Sequence, residues 1–207
     1  TLHYASPSVL SPFMVYDPLR DALVVHEFDR RLVAVASDGT STDIIQLPEA
    51  PSGLASGHDL IYLRLSNQLH YVDGDGNLLP LLDEAGVAPY VTGGSVAPLV
   101  MRHDPGTNAL LLFASNEVFG AFGAWGLTTA VKIPLTDDGT QVAGPMTGVS
   151  VDVSDSAEQV VGAGRRDADG SILFVVDTNA NLSETRMRLL DPVTMTTSAF
   201  AVSGDYA

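Results

Sequence analysis

The sequence predicts an all-β chain of short antiparallel strands, and three observations carry that expectation. Runs of four to seven apolar or β-branched residues, each closed by Gly, Asp, Asn or Pro, recur from end to end. No window of helix length sustains apolar residues at i, i+3, i+4 and i+7. Two short motifs, a turn leading into a strand and a hairpin, alternate along the chain.

The first turn unit, Tyr16-Asp17-Pro18-Leu19-Arg20-Asp21, leads into the strand Ala22 to Val25. Its aspartate accepts backbone N–H groups, proline presets φ at the next position, and Asp, Asn or Gly tolerates the left-handed corner before the strand resumes. Leu32 to Ala36 then turns through Ser37-Asp38-Gly39 into Thr42 to Leu47. Asp-Gly between alternating strands signals a hairpin, because both central residues of a type I′ turn need positive φ. A shortened turn, His58-Asp59, precedes Leu60 to Leu63, and Leu69 to Val72 passes through Asp73-Gly74-Asp75-Gly76-Asn77 into Leu78 to Leu82. The third turn unit, His103-Asp104-Pro105-Gly106-Thr107-Asn108, shares D-P-x-x-[DN]-A-L with the first and opens Ala109 to Phe113. Val131 to Gly139 is the third hairpin, Arg166-Asp167-Ala168-Asp169-Gly170 leads into Ser171 to Val176, and Met187 to Thr194 is the fourth hairpin. The apolar runs are expected to be buried on both faces.

Two strands, a connection and two more strands make one four-stranded antiparallel blade, whose apolar faces only its neighbours can cover in a radial stack. The Asp-Gly spacings of 37 and 63 residues are irregular, which variable loops explain. The expected division is a leader at 1–11 and one β-propeller domain or segment at 12–207, with blades at about 12–50, 51–93, 94–150 and 151–203. On the D-P-x-x-[DN]-A-L turns and hairpins such as Leu69 to Leu82, residues 12–203 resemble the β-propeller superfamily, in particular irregular bacterial TolB-like, NHL-like and gluconolactonase-like repeats. The resemblance implies an architecture and leaves the activity open. Four blades are fewer than the six to eight usual in those families, so the expectation is a four-bladed ring or part of a larger one.

Composition closes several chemistries. The absence of cysteine excludes disulfides, thiolate metal sites and Cys nucleophiles. A formal charge of −15, from 10 Lys+Arg against 25 Asp+Glu, argues against nucleic acid and anionic membranes. No apolar run reaches the roughly 18–20 residues of a membrane-spanning helix. The chain begins at Thr1, which leads to the expectation that a signal has been removed or that the chain is excised from something longer. No nucleophile elbow, phosphate loop, dinucleotide fingerprint or zinc-helix motif occurs.

Four groups of residues are candidates for function. Asp73, Asp75, Asn77 and Glu84 put oxygen ligands at loop positions 1, 3, 5 and 12, which would suit calcium. Position 6 is Leu78 rather than Gly, and the plain reading of the segment is a hairpin turn. The pairs Tyr16-Asp17, His58-Asp59, His103-Asp104 and Arg166-Asp167 occupy equivalent turn positions, which favours a capping carboxylate repeated in each blade; His26, Glu27 and Asp29 close an apolar strand where a polar exit is expected anyway. Finally, Phe119, Phe122 and Trp125 are interleaved with glycine in what reads as a lengthened loop. Aromatics on such a loop suit protein or carbohydrate contacts, or fold back into a blade gap.

The function expected is therefore a non-catalytic protein–protein interaction or scaffold module, extracellular, periplasmic or on the cell surface, with other protein subunits as partners. Its acidic face favours basic or calcium-bridged partners. A metal-dependent lactonase-like hydrolase using Asp73 or Glu27, and a carbohydrate-binding module using Phe122 and Trp125, are the alternatives.

Overall fold

Among the described residues, sixteen strands form four separate four-stranded antiparallel sheets, each a simple meander in chain order. The structure, a computed structural model, describes residues 14–27, 29–91, 97–120, 123–151, 158–178 and 185–200. The expected leader at 1–11 lies outside them. The first sheet holds β1 (Met14–Asp17), β2 (Ala22–His26), β3 (Arg31–Ala36) and β4 (Ser41–Gln46). The second holds β5 (Leu54–Gly57), β6 (Leu60–Leu65), β7 (Gln68–Val72) and β8 (Leu78–Asp83). In the third are β9 (Ala97–Asp104), β10 (Ala109–Gly120), β11 (Gly123–Pro134) and β12 (Thr147–Ser150). The fourth comprises β13 (Glu158–Arg165), β14 (Ile172–Thr178), β15 (Thr185–Asp191) and β16 (Thr196–Ala199). The short helix α1 (Glu84–Val87), capped by the Asp83 carboxylate on the Gly86 amide, follows β8.

Burial follows position in the meander. The second strands are the apolar runs covered on both faces: every residue from Ala109 to Ala114 is buried, as is most of β6. The fourth strands, β4, β8, β12 and β16, are largely exposed, so the expectation of two-sided burial fails at the edge of each sheet. An edge strand has a partner on one side only, and its polar, open face leaves solvent at the rim.

The sheets stack face to face in sequence. Val24 and Leu32 of the first pack with Ile61, Leu63 and Val72 of the second. The opposite face of the second, through Tyr62 and Tyr71, packs on Leu110, Leu112 and Ile133 of the third. Leu111 and Phe113, pointing the other way from β10, meet Ile172, Phe174 and Leu190 of the fourth, with the Phe113 and Phe174 ring centroids 5.3 Å apart. The period-two alternation of β10 thus serves two cores at once. First strands run side by side, β1 against β5, β5 against β9 and β9 against β13. The Ser56 hydroxyl donates to the Tyr16 carbonyl across the first of these junctions at 2.5 Å. Among the described residues no apolar cluster spans the first and fourth sheets.

Register repeats between the first and second sheets. A bulge falls between Leu32 and Val33 in the pairing of β3 with β4, and between Leu69 and His70 in that of β7 with β8. Counted from the turn that closes the first two strands, these are the same position in both sheets.

Candidate functional site

In a four-stranded meander the first and third turns lie at one end, and among the described residues that end carries Asp17, His58, His103, Asp104 and Asp191. Three of these turns are Asp-Pro turns with a left-handed fifth residue: Asp21 at φ 45°, Asn108 at φ 48° and Met195 at φ 54°. Asp17, 1% exposed, accepts from the Leu19 amide at 3.1 Å and pairs with Arg20 at 2.5 Å. Asp104, fully buried, accepts from the amides of Gly106 and Thr107 at 3.3 and 3.0 Å and from the Thr107 hydroxyl at 2.7 Å. It also pairs with Arg165 of the fourth sheet at 3.3 Å. Asp191 accepts from the Val193 amide and the Thr194 hydroxyl, both at 2.8 Å, and these bonds hold its carboxyl below the usual range.

The expected equivalence of four His-Asp-like pairs needs correction. It holds for Tyr16-Asp17 and His103-Asp104, which end β1 and β9, while Asp191 at the end of β15 supplies the third Asp-Pro turn. His58 and Asp59 are instead the two corner residues of a tight turn, at φ 53° and 60°, between the paired Gly57 and Leu60. Arg166 and Asp167 open a longer turn closed by the Arg166 amide on the Ser171 carbonyl at 2.8 Å. The deletion of two turn residues after β5 moves the imidazole from strand end to corner, which spacing alone does not reveal.

That corner reaches the third sheet. The His58 ring nitrogen Nε2 bonds the Asn108 side-chain oxygen, and the His103 ring stands edge-on to His58 with centroids 4.6 Å apart. Tyr62 stacks on His103 at 6.2 Å and donates to the Gly139 carbonyl at 3.1 Å. Burial, with the neighbouring His58 as the next cause, pushes the His103 imidazole down to about 4. Its Nε2 is buried without a partner. A neutral imidazole wedged between sheets is a packing element here.

Of the oxygen ligands expected for calcium, the structure holds Asp73 and Asn77 against each other in one turn and carries Glu84 away from them. The Asp73 carboxylate accepts from the Asp75 and Asn77 amides at 3.0 and 2.8 Å and from the Asn77 side-chain nitrogen at 2.9 Å. The Asn77 bonds are the leading reason its carboxyl lies below the usual range. Glu84 begins α1 at the far end of β8, six residues of strand or about 20 Å away. There it pairs with Arg64 at 3.2 Å. Among the described residues no three His, Asp or Glu side chains are grouped to hold a metal ion. Glu27, 3% exposed, pairs with Arg31 at 2.6 Å, and the same guanidinium binds Asp29 at 2.7 Å and Asp43 at 3.0 Å. One arginine thus engages both carboxylates that could have formed an acid–base pair with His26, offsetting only part of their charge.

The aromatic segment is not the loop that the sequence suggests. Phe119 lies in β10 and Trp125 in β11, and the two strands pair without interruption from Ala109↔Pro134 to Gly120↔Gly123. Phe122 lies outside the described residues. Valine and aromatic residues suit extended backbone, and the glycines concentrate toward the turn, so the hairpin lengthens where a loop was expected. β9 accompanies β10 only as far as Ser115↔Ala97, and β12 joins β11 only from Thr129↔Ser150 onward. Among the described residues, 116–120 and 123–128 therefore pair with each other alone, as a two-stranded ribbon continuing beyond the third sheet, with Val118 opposite Trp125 and Phe119 opposite Ala124.

No protein-family model matches the chain, and no curated protein does. Among solved structures, its fold is similar to the extracellular domain of BT4673 from B. thetaiotaomicron, described as a hybrid two-component system, with TM-score 0.53 and 9% identity over 86% of this chain and 20% of that one. Another structure of a BT4673 extracellular domain gives TM-score 0.37 and 10% identity over 90% of this chain and 29% of that one. PorZ, a bacterial surface component of the type-IX secretion system of Porphyromonas gingivalis, gives TM-score 0.29 and 7% identity over 88% of this chain and 34% of that one. The chain thus spans 20% of the length of the first of these structures.

Proposed function

We propose that the four sheets are successive blades of a β-propeller arc, and that the arc serves as a non-catalytic interaction module outside the cell or on its surface. The observation that carries this reading is the serial stacking of four meanders with their first strands side by side, the arrangement that blades adopt around an axis. With no apolar cluster between first and fourth sheets among the described residues, an arc of a larger ring fits better than a closed four-bladed one. The buried carboxylates are spent on turns and ion pairs, which favours a scaffold over a hydrolase. Likeness in fold to an extracellular domain, together with a charge of −15, fits a module that meets protein partners in an aqueous exterior. The ribbon bearing Phe119 and Trp125 is the contact we assign to those partners, since ring side chains bring large apolar area at low entropy cost.

Native mass spectrometry tests the platform role. The expected result is an assembly of defined stoichiometry that Trp125→Ala abolishes while the β circular dichroism is retained. A chain that stays monomeric at every concentration, or an assembly indifferent to Trp125→Ala and Phe119→Ala, overturns it.

A further inference from the structure

A cleft of about 450 Å³ opens at the turn end between the first and second sheets. Its floor is Ala22, Ala34 and Ala36, and its rim carries Arg20, Asp43 and Asp75. The cleft exists because of what stands at one register position. Two residues beyond the pair closing the first turn, Val24 faces Ala34 in the first sheet, Tyr62 faces Tyr71 in the second, and Leu111 faces Lys132 in the third. Tyr71 is packed into the core against the third sheet, and Lys132 crosses to the fourth, donating from Nζ to the Pro192 carbonyl at 2.7 Å. At the first junction an alanine leaves that volume open, in the size range of small-ligand sites.

The chemistry of the rim selects the ligand. Arg20 is engaged by the buried Asp17 at 2.5 Å, and Asp43 by Arg31 at 3.0 Å. The Asp75 carboxylate takes part in no hydrogen bond or ion pair with a described residue, although its own amide is held by Asp73. Gly76, at φ 82°, brings this turn so close to the first sheet that a Cβ there would lie 2.9 Å from the Ile44 carbonyl oxygen, which keeps Asp75 at the mouth. The uncompensated charge at the cleft is thus negative, above an apolar floor and within a chain of net charge −15. We infer that the cleft binds a primary ammonium on a short aliphatic chain, with the ammonium at Asp75 and the hydrocarbon on the alanine floor. A free alkylamine and the lysine side chain of a partner present the same group. The inference stands on the cleft and is independent of the platform role.

Isothermal titration of the chain with n-pentylamine is the test, with pentanoate and 1-pentanol as the anionic and neutral analogues. Saturable binding of the amine is expected, weakened about tenfold by Asp75→Asn and abolished by Ala34→Leu, which fills the cleft, while neither analogue binds. Thermal melts establish that both variants fold; if Ala34→Leu does not, Ala36→Val narrows the same floor and must weaken binding. A lysine-containing peptide that binds as tightly as the amine assigns the site to a protein partner, and a peptide that fails where the amine binds assigns it to a free amine. No saturable binding of pentylamine, equal binding of pentanoate, or full affinity in both Asp75→Asn and the filled cleft overturns the inference.

Discussion

Asp104 and Arg165 tie the third sheet to the fourth at 3.3 Å, the carboxylate fully buried and the guanidinium 32% exposed. The same carboxylate closes its own turn through the Gly106 and Thr107 amides, so a local motif doubles as a joint between sheets. Asp104→Ala leaves those amides and a guanidinium without their acceptor and is expected to destabilise the chain by about 3 kcal/mol. Asp104→Asn keeps an acceptor and loses only the charge, so its cost is smaller. Urea denaturation of both variants checks this, and equal midpoints for wild type and Asp104→Ala would remove the joint.

His103 makes stability depend on pH in the mildly acidic range. Facing it are His58 and Asn108 at the turns, Tyr62 across the sheet junction, and Arg102 and Asp104 on its own strand. Its folded value, about 4, lies below the ordinary 6.5, so the unfolded chain binds the proton more readily than the folded one. The associated stability is fully present above pH 6.5 and is lost as pH falls through that value toward 4. His103→Asn should flatten the slope of stability against pH across this window. An unchanged slope in the variant contradicts the assignment.

Gly57 is required for space. A Cβ there would fall 2.2 Å from His103 Nδ1 and 2.3 Å from Cγ, and the ring is already wedged against His58 and Tyr62. Gly57→Ala should cost about 2 kcal/mol by overpacking. Gly144, whose Cβ would meet nothing within 4 Å, is the control, and Gly144→Ala should shift the melting temperature little in either direction.

The junction of third and fourth sheets depends on Phe113, fully buried and 5.3 Å from Phe174. Phe113→Ala is expected to cost about 3–5 kcal/mol through lost transfer energy and a cavity. Val193→Ala, at a site 72% exposed, should be near neutral in the same denaturation series.

Much of the site was readable only in part. Asp17 and Asp104 carry an Asp-Pro signature that announces turn capping, and both caps are present. Nothing in the spacing of His58 and His103, however, says that a corner residue of one sheet meets a strand-end residue of the next. Asp73 and Glu84 read as ligands of one loop because loop numbering ignores the straight strand between them, which carries Glu84 to the opposite end of the sheet. Phe119 and Trp125 stand out by their chemistry, but the glycines around them read as a loop where extended backbone pairs from Ala109↔Pro134 to Gly120↔Gly123.

The central apolar strands, the antiparallel order within each sheet and the Asp-Pro turns are written in the linear chain, because turns of a few residues and alternation of apolar side chains act over short separations. Which faces meet was decided only by the fold. The pairing of Asp104 with Arg165, the contact of His58 with His103 and the open volume above Ala34 each depend on two sheets approaching at a particular distance and register. Such contacts arise from packing between elements far apart in sequence, and no local preference encodes the gap that an alanine leaves when its counterparts are tyrosine and lysine.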